Sequence, residues 1–222
     1  VRFCLALLGG SFDPVHDGHV ALAELFVRLL DPDELRIMPA GQPWQKSGLQ
    51  ASDADRVAML KLAFDNAASH AGMPDHVIDT REVDRDTPTY TVETLRELRA
   101  ELGPDASIVF LMGADQLQKL DSWVEWESLF ELTNFGVAAR PGYRLDAAAL
   151  PPAVASALAQ RFATPGEVRA SQAGRVCVAH TLAVDISATE VRAALRADAK
   201  NVNALLAPQV LDYIQQHNLY KS

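Results

Sequence analysis

The sequence predicts an α/β protein built on a doubly wound parallel sheet with helices on both faces, and three observations predict it. Short apolar runs alternate with longer amphipathic stretches along most of the chain, as crossover units between parallel strands require. A length of 222 residues supports one well-buried core, and 49% hydrophobic against 22% charged residues is the composition of an ordinary globular protein. Chemistry-bearing loops directly follow apolar runs, the place where open parallel sheets gather their ligands.

Taken in order, Phe3 to Leu8 runs into Gly9-Gly10 and then charged residues without a small-residue cleavage pattern, so it reads as a strand rather than a targeting segment. Val20 to Leu30 has helical apolar spacing, and Leu35 to Met38 is the next strand. Ala54 to Ala68 is a helix with Val57, Leu60, Phe64 and Ala67 on one stripe. His76 to Ile78 (strand), Val92 to Leu102 (helix), Ser107 to Met112 (strand) and Ser128 to Leu132 (helix) follow. Phe135 to Ala139 (strand), Val154 to Phe162 (helix) and Val176 to Ala179 (strand) continue the alternation. The Ala-rich stretch from Asp146 to Ala159 reads as a peripheral insertion, and residues 186–222 as a small C-terminal helical part of a single domain spanning 1–222.

Lys and Arg number 20 against 29 Asp and Glu, a net charge of −9 that disfavours nucleic-acid and anionic-lipid partners. No stretch approaches a membrane span. Cys4 and Cys177 stand apart in apolar runs without metal-ligand spacing, which points to a reducing, cytoplasmic setting and away from disulfides or structural zinc.

The densest chemistry is Gly9-Gly10-Ser11-Phe12-Asp13-Pro14-Val15-His16-Asp17-Gly18-His19. Glycines at a strand end let a phosphate approach the backbone N–H groups. His16 and His19, three apart, fall on one side of a helical turn at an N-terminus polarised to receive anions. A metal site is the rival, but no third ligand stands at a suitable spacing, and Asp13 and Asp17 read equally as turn and cap residues. Ile186-Ser187-Ala188-Thr189-Glu190-Val191-Arg192 opens another helix, with Ser187 and Glu190 as a capping box. Arg192 lies near the positive end of that helix dipole, where it gains stability if an anion joins it.

Three more stretches bear on a second ligand. Thr91 reads as the N-cap of the following helix, beside N–H groups open to a carboxylate. Asp115, after Gly113-Ala114, places a carboxylate at a strand end or serves as an N-cap. Trp123 and Trp126 can face one side of a helix, one as core and one as a platform for an aromatic ring.

The eleven-residue run resembles the G-G-[ST]-F-D-P-x-H-x-G-H signature of the HxGH nucleotidylyltransferases, and Ile186 to Arg192 resembles their I-S-[SA]-T-x-[IV]-R motif. Together with Thr89-Tyr90-Thr91 and Thr94, Gly113-Ala114-Asp115, Trp123 and Ala139-Arg140-Pro141-Gly142-Tyr143, the order is similar to the nicotinate-nucleotide adenylyltransferase branch over nearly the whole chain. The resemblance implies a Rossmann-like fold and transfer of the adenylyl group of ATP, accompanied by Mg²⁺, to nicotinate mononucleotide. Nicotinic acid adenine dinucleotide and pyrophosphate are then the products, in NAD biosynthesis. It implies that Gly9, Gly10, Ser11 and Phe12 cradle ATP with His16 and His19 on its phosphates, and that Ile186, Ser187, Thr189 and Arg192 hold the triphosphate. Gly113 and Asp115 would meet the nucleotide near the ribose, and Arg140 would frame the adenine. Tyr90 and Thr91 would receive the pyridine carboxylate while Trp123 stacks on the ring.

One stretch departs from the branch: P-x-x-x-P-P-H-K is here Pro39-Ala40-Gly41-Gln42-Pro43-Trp44-Gln45-Lys46, with Gln45 replacing the His and Lys46 retained to neutralise phosphate. Arg56 matches a family arginine or is an ordinary solvated charge. A sister transferase for nicotinamide mononucleotide, FMN or phosphopantetheine shares both phosphate motifs, and a non-catalytic nucleotide-binding regulator is an alternative of another class. A nicotinamide-dependent dehydrogenase would want GxGxxG in the first turn, which is absent. Homo-oligomerisation is left open.

Overall fold

The structure is a computed structural model describing residues 2–43, 48–71, 73–139, 149–180, 184 and 186–221. Its elements in chain order are β1 (Cys4–Gly10), α1 (Asp17–Leu30), β2 (Glu34–Pro39), β3 (Gln42–Pro43), α2 (Asp53–Ala71), β4 (His76–Ile78), β5 (Pro88–Thr89), α3 (Thr91–Leu102), β6 (Ser107–Gly113), α4 (Ala114–Leu117), α5 (Leu129–Leu132), β7 (Asn134–Ala138), α6 (Pro152–Leu158), α7 (Pro165–Ala170), β8 (Val176–Ala179), α8 (Ala188–Arg196) and α9 (Pro208–Gln216). Six strands form one parallel sheet in the order β4-β2-β1-β6-β7-β8, and β3 pairs with β5 in a separate two-stranded ribbon. The winding reverses between β1 and β6. That reversal is the topological switch of a Rossmann-like sheet, and the crevice beyond the carboxyl ends of those two strands is where its ligands bind.

Strand periodicity divides the core between the two faces. Cys4, Ala6 and Leu8 of β1 join Phe26 of α1, Phe64 of α2, Val191 of α8 and Ile214 of α9 on one side. Leu5 and Leu7 join Leu95 of α3, Leu129 of α5 and Val154 of α6 on the other. Helices thus cover both faces.

Three expectations change. The stretch read as a peripheral insertion contains α6, whose Val154 and Leu158 are 0% and 1% exposed in the second core layer. Their i,i+4 spacing puts both on one helical face, a stripe that the surrounding alanines dilute in the sequence; residues 146–148 lie outside the described ones. In α2 the buried stripe is Met59, Leu60, Ala63, Phe64 and Ala67, while Val57 is only partly covered. The short helix α7 was not anticipated, although Thr164 and Glu167 form a capping box at its start. Among the described residues no helix is long and apolar enough to cross a membrane.

Candidate active site

A cavity of about 850 Å³ opens at the switch point, walled by the end of β1, the starts of α1, α3 and α8, and the end of β6. That is ample for a dinucleotide-sized ligand, since small-molecule pockets run to roughly 300–1,000 Å³.

The loop after β1 is fixed from behind by groups hidden from solvent. A Cβ on Gly9 would stand 3.1 Å from the Phe110 ring and one on Gly10 3.1 Å from the Phe12 ring, so a side chain at either position would require that ring to give by a few tenths of an ångström. Phe12 turns the chain through a left-handed backbone (φ 48), a cost offset by a ring that is 1% exposed and meets His19 edge-on at 4.9 Å. Arg56 is not a solvated charge. It is fully buried, donating to the Ser11 carbonyl at 2.6 Å and to Asp53 at 2.6 Å. Asp13 goes beyond a turn residue, for its carboxylate accepts from the Gln50 N–H at 2.8 Å, the Ala51 N–H at 3.0 Å and the Tyr220 hydroxyl at 2.7 Å.

The two histidines meet at the entry to α1. His16 is the N-cap and His19 the third helical residue, so His16 stands just outside the helical turn expected to carry both. The His16 N–H donates to His19 Nδ1 at 3.2 Å, and the rings stack 3.7 Å apart at 25°. His16 is 6% exposed, and its Nδ1 is buried without a hydrogen-bond partner. Burial pushes this imidazole down to about 4, against a smaller upward pull from Glu190, so it is neutral at pH 7. A Cβ on Gly18 would lie 2.9 Å from His16 Nδ1 and 3.3 Å from the Ile186 carbonyl, so this glycine lets the second motif close on the first.

Ser187 caps α8 as expected, its Oγ accepting from the Glu190 N–H at 3.2 Å while Glu190 accepts from Ser187 N–H at 2.8 Å. Arg192 differs from its expectation, since it does not wait for an anion alone. It donates to the Asp13 carbonyl at 2.7 Å and to Thr189 Oγ1 at 3.4 Å, which binds motifs 179 residues apart into one wall. Ile186, Ser187, Thr189 and Arg192 all line the cavity with Gly9, Gly10, Ser11, Phe12, His16 and His19.

Thr91, Gly113, Asp115 and Trp123 line the same cavity. Tyr90, not Thr91, is the N-cap of α3; it makes no side-chain cap and packs against the second core layer, leaving Thr91 as the first helical residue at the cavity. Likewise Gly113, not Asp115, caps α4. A Cβ on Gly113 would sit 2.6 Å from Asp115 Oδ1. The two tryptophans do not share a helix: Trp123 follows a 3-10 turn at 120–122, and Trp126 opens another at 126–128. Trp123 meets Phe110 edge-on at 5.9 Å with its Nε1 buried and unpartnered, whereas Trp126 stands edge-on to Phe130 at 6.3 Å. Trp44, Gln45, Lys46, Arg140, Pro141, Gly142 and Tyr143 lie outside the described residues.

A cytidylyltransferase-like family model matches residues 7–194, which span both motifs. A protein of Herminiimonas arsenicoxydans named "Probable nicotinate-nucleotide adenylyltransferase" is 54% identical over 222 residues, covering 100% of this chain and 99% of that one. One of the same name from Laribacter hongkongensis is 44% identical, covering 100% and 96%. The chain belongs to the nicotinate-nucleotide adenylyltransferase family. Among solved structures, a Plasmodium falciparum nicotinic acid mononucleotide adenylyltransferase complexed with NaAD superposes with a TM-score of 0.76 at 19% identity, over 99% of this chain and 98% of that one. At that identity the likeness establishes the shared fold.

The structure gives further residues a part in the site. Asp13, Gly18 and Arg56, named in the sequence only as turn, motif and family-matching residues, and Tyr220, which lies outside every motif, shape the loop after β1 without belonging to the expected ligand set. Glu82 lines the cavity, and burial raises its carboxyl above the usual range while the Thr94 hydroxyl donates to it at 2.7 Å. A Cβ on Gly41 would collide with the Glu82 carbonyl at 1.9 Å, so the backbone at Gly41 packs directly on that of Glu82.

Proposed function

We propose that the protein transfers the adenylyl group of ATP to nicotinate mononucleotide, forming nicotinic acid adenine dinucleotide and pyrophosphate in NAD biosynthesis. The observation that carries the reading is one cavity lined by a stacked His16–His19 pair, Arg192, Thr91 and Trp123.

The mononucleotide phosphate oxygen attacks the α-phosphorus, a P–O bond forms there, and the bond to the bridging oxygen of the β-phosphate breaks in line. No protein nucleophile is needed, so positioning and charge stabilisation do the catalytic work. In this reading His16 and His19 face the phosphates, Lys46 and Arg192 neutralise developing charge, and Ser187 and Thr189 meet the triphosphate, while the backbone of Gly9, Gly10, Ser11 and Phe12 underlies the nucleotide. Ile186 and Gly113 border it, Asp115 contacts it near the ribose, and Arg140 frames the adenine. Tyr90 contributes through its backbone, at the cap of α3, to the carboxylate site at Thr91, and Trp123 stands at the pyridine ring. A Mg²⁺ brought in on the triphosphate would offset its charge.

The test is a chromatographic endpoint assay with ATP and Mg²⁺ and, in parallel, nicotinate mononucleotide, nicotinamide mononucleotide or phosphopantetheine. Preferential formation of nicotinic acid adenine dinucleotide, lost in His19→Ala, is the expected result. Product from another acceptor alone would overturn the pyridine-site assignment, and ATP binding without product would favour the regulator reading.

A further inference from the structure

We propose that Tyr220 is a positioning residue for nucleotidyl transfer, acting through Asp13 on the loop that carries His16 and on the carbonyl that Arg192 grips. Tyr220 lies outside every motif, 207 residues from Asp13, yet its hydroxyl donates to Asp13 Oδ1 at 2.7 Å. Both side chains are buried, at 5% and 4% exposure. Tyr220 holds a left-handed backbone (φ 60), disfavoured for a bulky side chain and maintained here by the buried ring and its hydrogen bond.

The same carboxylate takes the Gln50 and Ala51 N–H groups, so three donors fix Asp13, and its main-chain carbonyl is the acceptor for Arg192 at 2.7 Å. Burial beside Asp13 keeps the hydroxyl protonated and donating. Removing it leaves the loop that leads into His16 with one support fewer. The mononucleotide wall, at Thr91 and Trp123, has no part in this chain of bonds.

The geometry supplies its own control. Tyr213 of α9 donates to Asp55 Oδ1 at 2.9 Å, another tyrosine–carboxylate bond from the C-terminal helices to α2. Its hydrogen bond ends on Asp55 and not on the loop after β1. The experiment compares Tyr220→Phe with Tyr213→Phe at a temperature where circular dichroism shows each folded.

For Tyr220→Phe, kcat is expected to fall about tenfold, and ATP affinity measured calorimetrically about fivefold, with KM for the mononucleotide little changed. Tyr213→Phe is expected to lower Tm alone. In a double-mutant cycle with Asp13→Asn the losses should be strongly non-additive. Unchanged kcat and ATP affinity in Tyr220→Phe, equal losses in Tyr213→Phe, or additive losses in the cycle would each overturn the proposal. It rests on the adenylyl-transfer reading, and an inactive wild type would refute that reading while the ATP-affinity comparison still decides the role of Tyr220.

Discussion

His16 is a charge switched off by its surroundings, and the consequence is measurable in stability. Its folded-state value of about 4 lies below the ordinary 6.5, so between those limits the unfolded chain binds the extra proton. Stability from this group is therefore complete above pH 6.5 and is lost as pH falls toward 4, by about 3 kcal/mol in all. Denaturant midpoints across that window should fall steeply for the wild type and more gently for His16→Asn, whose side chain suits an N-cap position and does not titrate. For His19→Ala, removal of one transition-state donor should cost about 3 kcal/mol, a hundredfold or more in kcat, with little change in Tm. Steady-state rates beside melting curves check this. His16, His19 and Arg192 were legible because their spacing on helix starts is itself the signal. Asp13 and Arg56 were not, since a carboxylate in a turn or a guanidinium at a helix start looks solvated until the fold shows what closes over it.

The helix starts separate structural from functional caps. Thr164 and Ser187 form the same reciprocal box with Glu167 and Glu190, but only Ser187 lines the cavity. Replacing either with Ala should cost about 1 kcal/mol of stability. Only Ser187→Ala should also raise KM for ATP, because the start of α8 and the Arg192 it carries shift together; melting curves and initial rates on the pair distinguish the two roles. The main-sheet strands and α1, α2 and α3 were readable from period and length. The two-residue strands β3 and β5 were not, for two residues carry no period. Nor was the N-cap of α3, where Tyr90 takes a position that residue preference gives to Thr91, because the turn out of β5 sets the backbone there.

At the scale of the molecule, the C-terminal helices share their core with the first strand. Val191, Val210, Leu211, Ile214 and Tyr220 belong to the same buried cluster as Ala6, Leu8 and Phe26. We propose on that ground that the chain unfolds as one cooperative unit, so that near- and far-ultraviolet circular dichroism should give coincident thermal transitions. ATP at a hundred times its Kd should stabilise that unit by about 2.7 kcal/mol and raise both transitions together. The alternation of strands and helices made the doubly wound sheet legible in advance, and motif order pointed to its ligand edge. What no local pattern reveals is which distant segments touch. The grip of Arg192 on the Asp13 carbonyl spans 179 residues and that of Tyr220 on its carboxylate 207. At roughly 5 to 20 residues per second of synthesis, Asp13 leaves the peptidyl-transferase centre about 10 to 40 s before Tyr220 is made. During that interval a growing chain carries both imidazoles but not the Tyr220 hydroxyl that bonds Asp13, so on the role proposed for Tyr220 the loop is fully fastened only late in translation, well after the strand that begins it.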